Sequence, residues 1–414
     1  MTAARPPLMP LDDALAALLA HARPLARTDT VATFDADHRV LAQDVVSALH
    51  VPPWDNSAMD GYALRSADAP APGATLAVSQ RIAAGEAGQP LAAGTAARIF
   101  TGAPIPEGAD AVVMQEECEA LDGGARVRVN AAPRPGQSIR RAGEDVARGA
   151  TVLRQGRRLT PAALGLAASI GVATLDVAAR PRVALFSTGD ELVMPGDVAP
   201  EHMRPGAIYN SNRFVLRALL TRLGCEVRDF GIVPDRRDAT EAALREAAVG
   251  CDLIITSGGV SVGEEDHLRP AVQALGRLDL WQIAIKPGKP FAYGSIDGAE
   301  RPTHFIGLPG NPVAGFVTLL VLVRPFLLAL QGVRDADVPA TLLPAHFDGP
   351  RADKRREFLR ARRNTQGGLD LFPNQGSGVL ASAVWSDGLV DNPTGRAIAR
   401  GDLVRFLPFA ELLG

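Results

Sequence analysis

With 414 residues, 47% of them hydrophobic and 21% charged, the chain has room for several domains of roughly 100–200 residues, each with its own core, and nothing in it reads as disordered. A net charge of −3 gives no electrostatic footprint for nucleic acid as the main partner. Cys118, Cys225 and Cys251 are scattered and form no CxxC, so neither a disulfide framework nor a structural zinc site is indicated, and a reducing cytoplasm fits best. The first ten residues lack the pattern of a signal peptide, and the longest apolar run, 313–323, stops at Arg324-Pro325, too short to cross a bilayer. A soluble, cytoplasmic protein with no membrane partner is expected.

In chain order, residues 11–26 set Leu11, Leu15, Leu18 and Leu19 at helical spacing behind Asp12 and Asp13, predicting an amphipathic helix packed on another domain. Short strands follow over 30–46. From Trp54 to about Asp145, β-prone runs at 77–82, 97–101, 111–114 and 126–129 alternate with glycine and proline and predict a small β-rich domain. Within it, IFTGAPIPEGADAVVMQEE (99–117) reads strand, Gly-Pro loop, strand, with Thr101 at the end of the first strand. IRRAGED (139–145) sets two cations beside two anions around a glycine, an exposed turn worth under about 1 kcal/mol as an ion pair. A strand-like pair and a helix over 162–170 lead to a boundary at Arg180-Pro181.

A larger domain then begins. Residues 183–186 form a strand ending in STGDEL (187–192), and Asn210 or Ser211 caps a helix that Gly224 stops. After a strand over 225–233, Asp238 and Glu241 resemble a capping box before a helix over 242–249. Leu253, Ile254 and Ile255 suit a parallel strand covered on both faces, ended by Gly258-Gly259, where backbone without Cβ lets a phosphate or ring approach. Ser257 and Ser261 add hydroxyls. Glu264, Glu265 and Asp266 crowd carboxylates ahead of a helix over 268–275, consistent with a bridging cation or simply with an acid-rich helix start. Strands are expected at 281–285, 291–295 and 304–308. Alternation through 182–332 argues a doubly wound sheet with helices on both faces, whose ligands collect beyond the carboxyl ends of the strands. STGDEL, Pro234-Asp235, SGGVSVGEED, KPGKP (286–290) and LPGNP (308–312) all follow strand candidates, a set suited to a phosphorylated ligand with a divalent cation. Residues 340–413 read as a separate small β domain whose basic run KRREFLR (354–360) is either a solvated face or an anion site.

DNSAMDGYA (55–63), FTGAPIPEGAD (100–110), GED (143–145), STGDEL, SGGVSVGE, KPGKP and LPGNP occur in the order of the molybdopterin molybdenumtransferases, the MoeA proteins and the gephyrin E domain, and over nearly its whole length the chain closely resembles that family. The resemblance implies a multidomain α/β protein: an N-terminal helix (1–28) on the α/β domain, a linking domain (29–50 plus 146–179), a β-rich domain (51–145) reaching the partner subunit, a doubly wound molybdopterin-binding α/β domain (180–332) and a C-terminal β domain (333–414). It implies a homodimer, Mg²⁺, and insertion of molybdate, as substrate, into adenylylated molybdopterin with release of AMP, in a pathway whose other proteins are further partners. By resemblance, Asp60, Asp145, Glu191, Asp235 and Asp266 bind metal or position water and pterin, with Glu191, Asp235 and Asp266 as the metal candidates. Thr101 and Arg140 come from the domain that crosses over. Lys286 and Lys289 contact phosphate or molybdate, Arg355 and Ser377 contact molybdate, and Ser257, Gly258, Gly259 and Ser261 cradle the pterin phosphate. The chain departs from the family's pattern at Trp281-Gln282, where a basic residue is common, and at Lys354, where glycine is usual. A molybdopterin adenylyltransferase, a nucleotide-amide hydrolase or a non-catalytic scaffold of the same fold are the competing readings.

Overall fold

The computed structural model describes residues 8–259, 267–298 and 301–413. Its central strand is Leu253–Ser257, buried at every residue and paired in parallel with Arg182–Thr188 on one side and Thr303–Leu308 on the other. A strand covered on both faces needs apolar side chains at both parities. Leu253 and Ile255 join Val183, Leu185, Ile306 and Leu308 in a core shared with the Leu11–Leu19 and Ser211–Arg222 helices and the Pro312–Leu330 helix. Ile254 joins Ala184, Phe186 and Phe305 against the Arg237–Ala248 and Leu268–Leu275 helices. Burying each such Leu or Ile is worth roughly 1.5–3 kcal/mol, so a one-residue slip, which would exchange the two faces, is strongly disfavoured.

The sheet order is Glu226–Val233, Arg182–Thr188, Leu253–Ser257, Thr303–Leu308, Pro290–Ile296, Gly276–Gln282. Its first four strands are parallel and its last two antiparallel, so the sheet is mixed and the expected alternation of helix and strand stops at Leu275. The connections beyond Leu275 are shorter than the dozen or so residues that a parallel crossover needs. The strand expected at 281–285 instead starts at Gly276 and ends at Gln282. Ile285–Lys286 leaves this sheet and pairs in parallel with Arg356–Arg363 of the C-terminal sheet.

Three further expectations are corrected. The Leu11–Leu19 helix is shorter than the 11–26 span, because the chain turns at Ala20 and drops Leu25 into the core by itself. The Arg237–Ala248 helix begins before Asp238 and has no side-chain cap, since Glu241 is held by Arg237 at 2.8 Å and Arg245 at 3.4 Å. The apolar run ends at Arg324-Pro325 but the helix does not: a π turn over Leu319–Val323 absorbs the proline, whose missing N–H would otherwise break the hydrogen-bond ladder. The resulting Pro312–Leu330 helix is long and apolar enough to cross a bilayer, but 78% of its most apolar stretch is buried inside the protein, which makes it a core helix.

Two smaller sheets flank this body. In one, the order is Ala111–Met114, Gly61–Leu64, Thr95–Ile99, Ala74–Ile82, Arg126–Val129, Cys118–Leu121. Segments on either side of it in sequence come back together, Thr28–Ala32 against Thr174–Ala178 and Val45–Val46 against Thr151–Leu153, over one small core. The C-terminal sheet runs Ile285–Lys286, Arg356–Arg363, Gly388–Asn392, Leu403–Pro408, Thr341–Pro344.

Candidate functional site

Between the carboxyl ends of the parallel strands and the C-terminal sheet lies a cleft of about 920 Å³. Thr188 and Glu191 reach it from the loop after Arg182–Thr188, Ser257 and Gly258 from the end of the central strand, and residues 309–312 from the end of Thr303–Leu308. Lys286, Gly288 and Lys289 come from the segment that crosses between sheets, and Arg355 and residues 375–378 from the C-terminal sheet. Two glycines are required by the backbone. Gly258 has φ +88° and a Cβ there would stand 3.1 Å from the Thr188 carbonyl oxygen; Gly288 has φ +112° and a Cβ would stand 2.4 Å from Thr318 Oγ1. Hydrogen bonds fix the loops against one another: Val313 N–H donates to the Ser377 carbonyl at 2.9 Å, and Asn212 Nδ2 donates to the Gly310 carbonyl at 2.7 Å.

Two of the three cations that line the cleft, Lys286 and Arg355, are held by carboxylates. Lys286 Nζ lies 2.6 Å from Glu357 Oε1 and 4.0 Å from Asp353. Arg355 grips Asp353 through Nη2 at 2.7 Å and Nε at 3.2 Å. That guanidinium holds the Asp353 carboxyl down to about 2, the side-chain hydrogen bond being the largest cause. Lys289 has no carboxylate within 4 Å among the described residues. Arg355 and Arg356 of the basic run are thus ion-paired within the fold, and Arg355 also lines the cleft. Arg356 is clamped by Asp391 at 2.6 and 2.7 Å and reaches Asp12 at 2.8 Å, tying the N-terminal helix to the C-terminal sheet. Arg360 is buried, donates to Ser382 Oγ and the Phe358 carbonyl, and is pushed down to about 10 by burial.

Of the residues singled out from sequence, the cleft gathers Glu191, Ser257, Gly258, Lys286, Lys289, Arg355 and Ser377. Gly259 follows Gly258 with its own positive φ of +66° but does not line the cleft, and neither does Asp235. Ser261 and Asp266 lie outside the described residues. Asp60, Thr101, Arg140 and Asp145 sit apart from the cleft, with the β-rich sheet. There Asp60 Oδ1 accepts from both the Thr101 N–H and its hydroxyl at 2.8 Å, and the backbone donor above all lowers the Asp60 pKa. Asp55 organises the neighbouring turn, accepting from Ala142 N–H at 2.8 Å and Arg141 at 2.5 Å, so the cation that the 139–145 turn engages is Arg141, not Arg140.

Among the described residues no three His, Cys, Asp or Glu side chains converge on a metal position. Magnesium is commonly held by one or two carboxylates together with substrate phosphates, and of the candidate trio Glu191 is the one that reaches the cleft among the described residues. What the cleft can do is bind anions, through ammonium and guanidinium groups and glycine-loop backbone, and orient them.

Several contributors escaped the sequence reading. Asn210 was expected only as a helix cap; its Oδ1 does accept Arg213 N–H at 3.1 Å, yet it also lines the cleft. Gln375 locks the loop before Ser377 by accepting Arg360 N–H at 2.9 Å and donating to the Arg360 carbonyl at 3.0 Å. Asp353 and Glu357 were masked by the lysine and arginines around them. The depressed Asp353 pKa has a readable sign: the stability contributed by its pair with Arg355 is complete above the ordinary value of 3.8 and is lost as pH falls through about 2. A carboxyl NMR titration should find Asp353 still fully ionised at about pH 4, where an ordinary aspartate is half protonated; half protonation there would contradict the clamp.

Family comparisons agree across the chain. Residues 9–171 match the MoeA N-terminal region (domain I and II), 184–329 a probable molybdopterin binding domain, and 343–409 the MoeA C-terminal region (domain IV). A molybdopterin molybdenumtransferase of Haemophilus influenzae is 39% identical over 415 residues, covering 98% of this chain and 100% of the relative. Molybdopterin molybdenumtransferase 2 of Mycobacterium tuberculosis is 40% identical over 387 residues, covering 89% of this chain and 91% of the relative. The crystal structure of the molybdopterin biosynthesis moeA protein from Pyrococcus horikoshii superposes with a TM-score of 0.85 at 28% identity, over 97% of this chain and 100% of that one. The chain belongs to the MoeA family, the molybdopterin molybdenumtransferases of molybdenum cofactor biosynthesis.

Proposed function

We propose that the cleft binds adenylylated molybdopterin together with molybdate, and that insertion of molybdenum into the dithiolene is coupled to cleavage of the adenylate and release of AMP. The observation that carries this reading is the convergence of Lys286, Lys289 and Arg355 with the Ser257-Gly258 and Gly376-Ser377 loops in one cleft. Both substrates are anions, and both need fixed cations and N–H groups that cost no reorganisation when charge shifts during reaction. Lys286 and Lys289 serve phosphate or molybdate as compact charges; Arg355 and Ser377 serve the tetrahedral oxyanion. Glu191 orients water or pterin. The magnesium implied by the resemblance would be held by Glu191 together with the phosphates of the substrate, where it would neutralise charge on the adenylate.

A homodimer completes the site. Asp60, Thr101, Arg140 and Asp145 are exposed polar groups of the β-rich region with no place in the cleft of their own chain, which supports a reading in which they serve the partner's cleft. Three free cysteines fit a cytoplasmic enzyme.

With adenylylated molybdopterin, Mg²⁺ and molybdate, the purified protein should release AMP and acquire pterin-bound molybdenum together; AMP release without molybdenum would contradict insertion. Dimers mixed from Asp60→Ala and Lys286→Ala subunits should regain insertion that neither homodimer shows, because one cleft then keeps both groups. Inactive mixed dimers would place Asp60 in the cleft of its own chain.

A further inference from the structure

We infer that Glu357 is a positioning residue of the cleft: a buried carboxylate of the C-terminal sheet that fixes where the Lys286 ammonium is presented to an oxyanion. The inference rests on the oxyanion reading of the cleft given above. Glu357 is 1% exposed, while Lys286, directly opposite it in the parallel register, is 41% exposed. Opposite residues of a strand pair share a face, so the two side chains meet without distortion. Glu357 points the same way as Leu359 and Ala361, which belong to the apolar core of the C-terminal sheet. A carboxylate there is costly unless paired.

Its pairing is unusually narrow. Lys286 Nζ stands 2.6 Å from Oε1, yet neither Glu357 oxygen has a well-directed hydrogen bond among the described residues. Asn392, its neighbour on the other side, donates to the Arg396 carbonyl instead. Arg355 and Arg360 feel the Glu357 charge without bonding it. Lys286 is thus the one described group that compensates the buried charge at contact distance, and Glu357 in turn holds a side chain with four rotatable bonds at the edge of the cleft. A buried ion pair contributes little net stability compared with apolar packing, so its use here is geometric: the ammonium is ordered before the anion arrives, and less freedom is lost on binding.

The chain contains only three lysines, Lys286, Lys289 and Lys354, so ammonium resonances are assignable in the full-length protein. In the wild type, the Lys286 ammonium should be markedly more ordered than that of Lys289, which lacks a described carboxylate partner; equal mobility would overturn the inference whether or not any variant folds. Titration of sodium molybdate by calorimetry supplies the second arm. Glu357→Gln should weaken binding about 10-fold, the usual scale for losing a group that orients a ligand, and Glu357→Asp should recover part of the loss. In a Lys286→Ala background, Glu357→Gln should cost nothing more, because the two act as one unit. Unchanged affinity in Glu357→Gln, or losses that simply add, would overturn the positioning role while leaving the cleft's function intact. Absence of molybdate binding in the wild type would overturn the oxyanion reading itself and the inference with it.

Discussion

The cleft depends on the parallel pairing of Ile285–Lys286 with Arg356–Glu357. Through it the chain of the central sheet contributes a strand to the C-terminal sheet, so neither sheet can shift without disturbing the other. Backbone bonds reinforce the seam: Arg356 N–H donates to the Ala284 carbonyl at 2.9 Å and Ala284 N–H to the Met9 carbonyl at 2.7 Å. On the far side of the cleft, Val313 N–H docks the Ser377 loop onto the start of the core helix. One register therefore sets the distance between the glycine loops of the central sheet and the cations of the C-terminal one.

Within that frame, electrostatics explains why the cations stand where they do. A chain with a net charge of −3 cannot draw oxyanions by its overall field, so attraction must be local. Two of the three cations that line the cleft are held by carboxylates, Arg355 by Asp353 and Lys286 by Glu357. Held cations offer weaker raw attraction than free ones but a fixed geometry, and for a tetrahedral oxyanion that must be aligned with a dithiolene, geometry is the scarcer quantity. Lys289, with no carboxylate within 4 Å among the described residues, stands beside them.

Much of this was legible in sequence because it follows from short-range rules. The two-sided burial of Leu253–Ser257 was written in its β-branched apolar run, and the end of that strand in the Gly258-Gly259 pair. What was not legible depends on partners distant in the chain. Nothing local distinguishes Ile285–Lys286 from a continuation of the preceding strand; its partner lies some seventy residues on and is visible only through register. Glu357 was hidden inside a basic run because its burial is decided by the parity of a strand that the run itself disguised. The length of the helix that carries the apolar run 313–323 was not legible at Arg324-Pro325, because a π turn is a tertiary accommodation that packing around Leu319–Val323 supports.

The central claim is that molybdate is received at the seam between the two sheets. Anomalous diffraction at the molybdenum edge from crystals soaked in molybdate tests it most directly. A single strong peak within hydrogen-bonding reach of Lys286, Arg355 and Ser377 is the predicted result. A peak on the β-rich sheet, or anywhere else on the protein with the seam empty, would contradict the account.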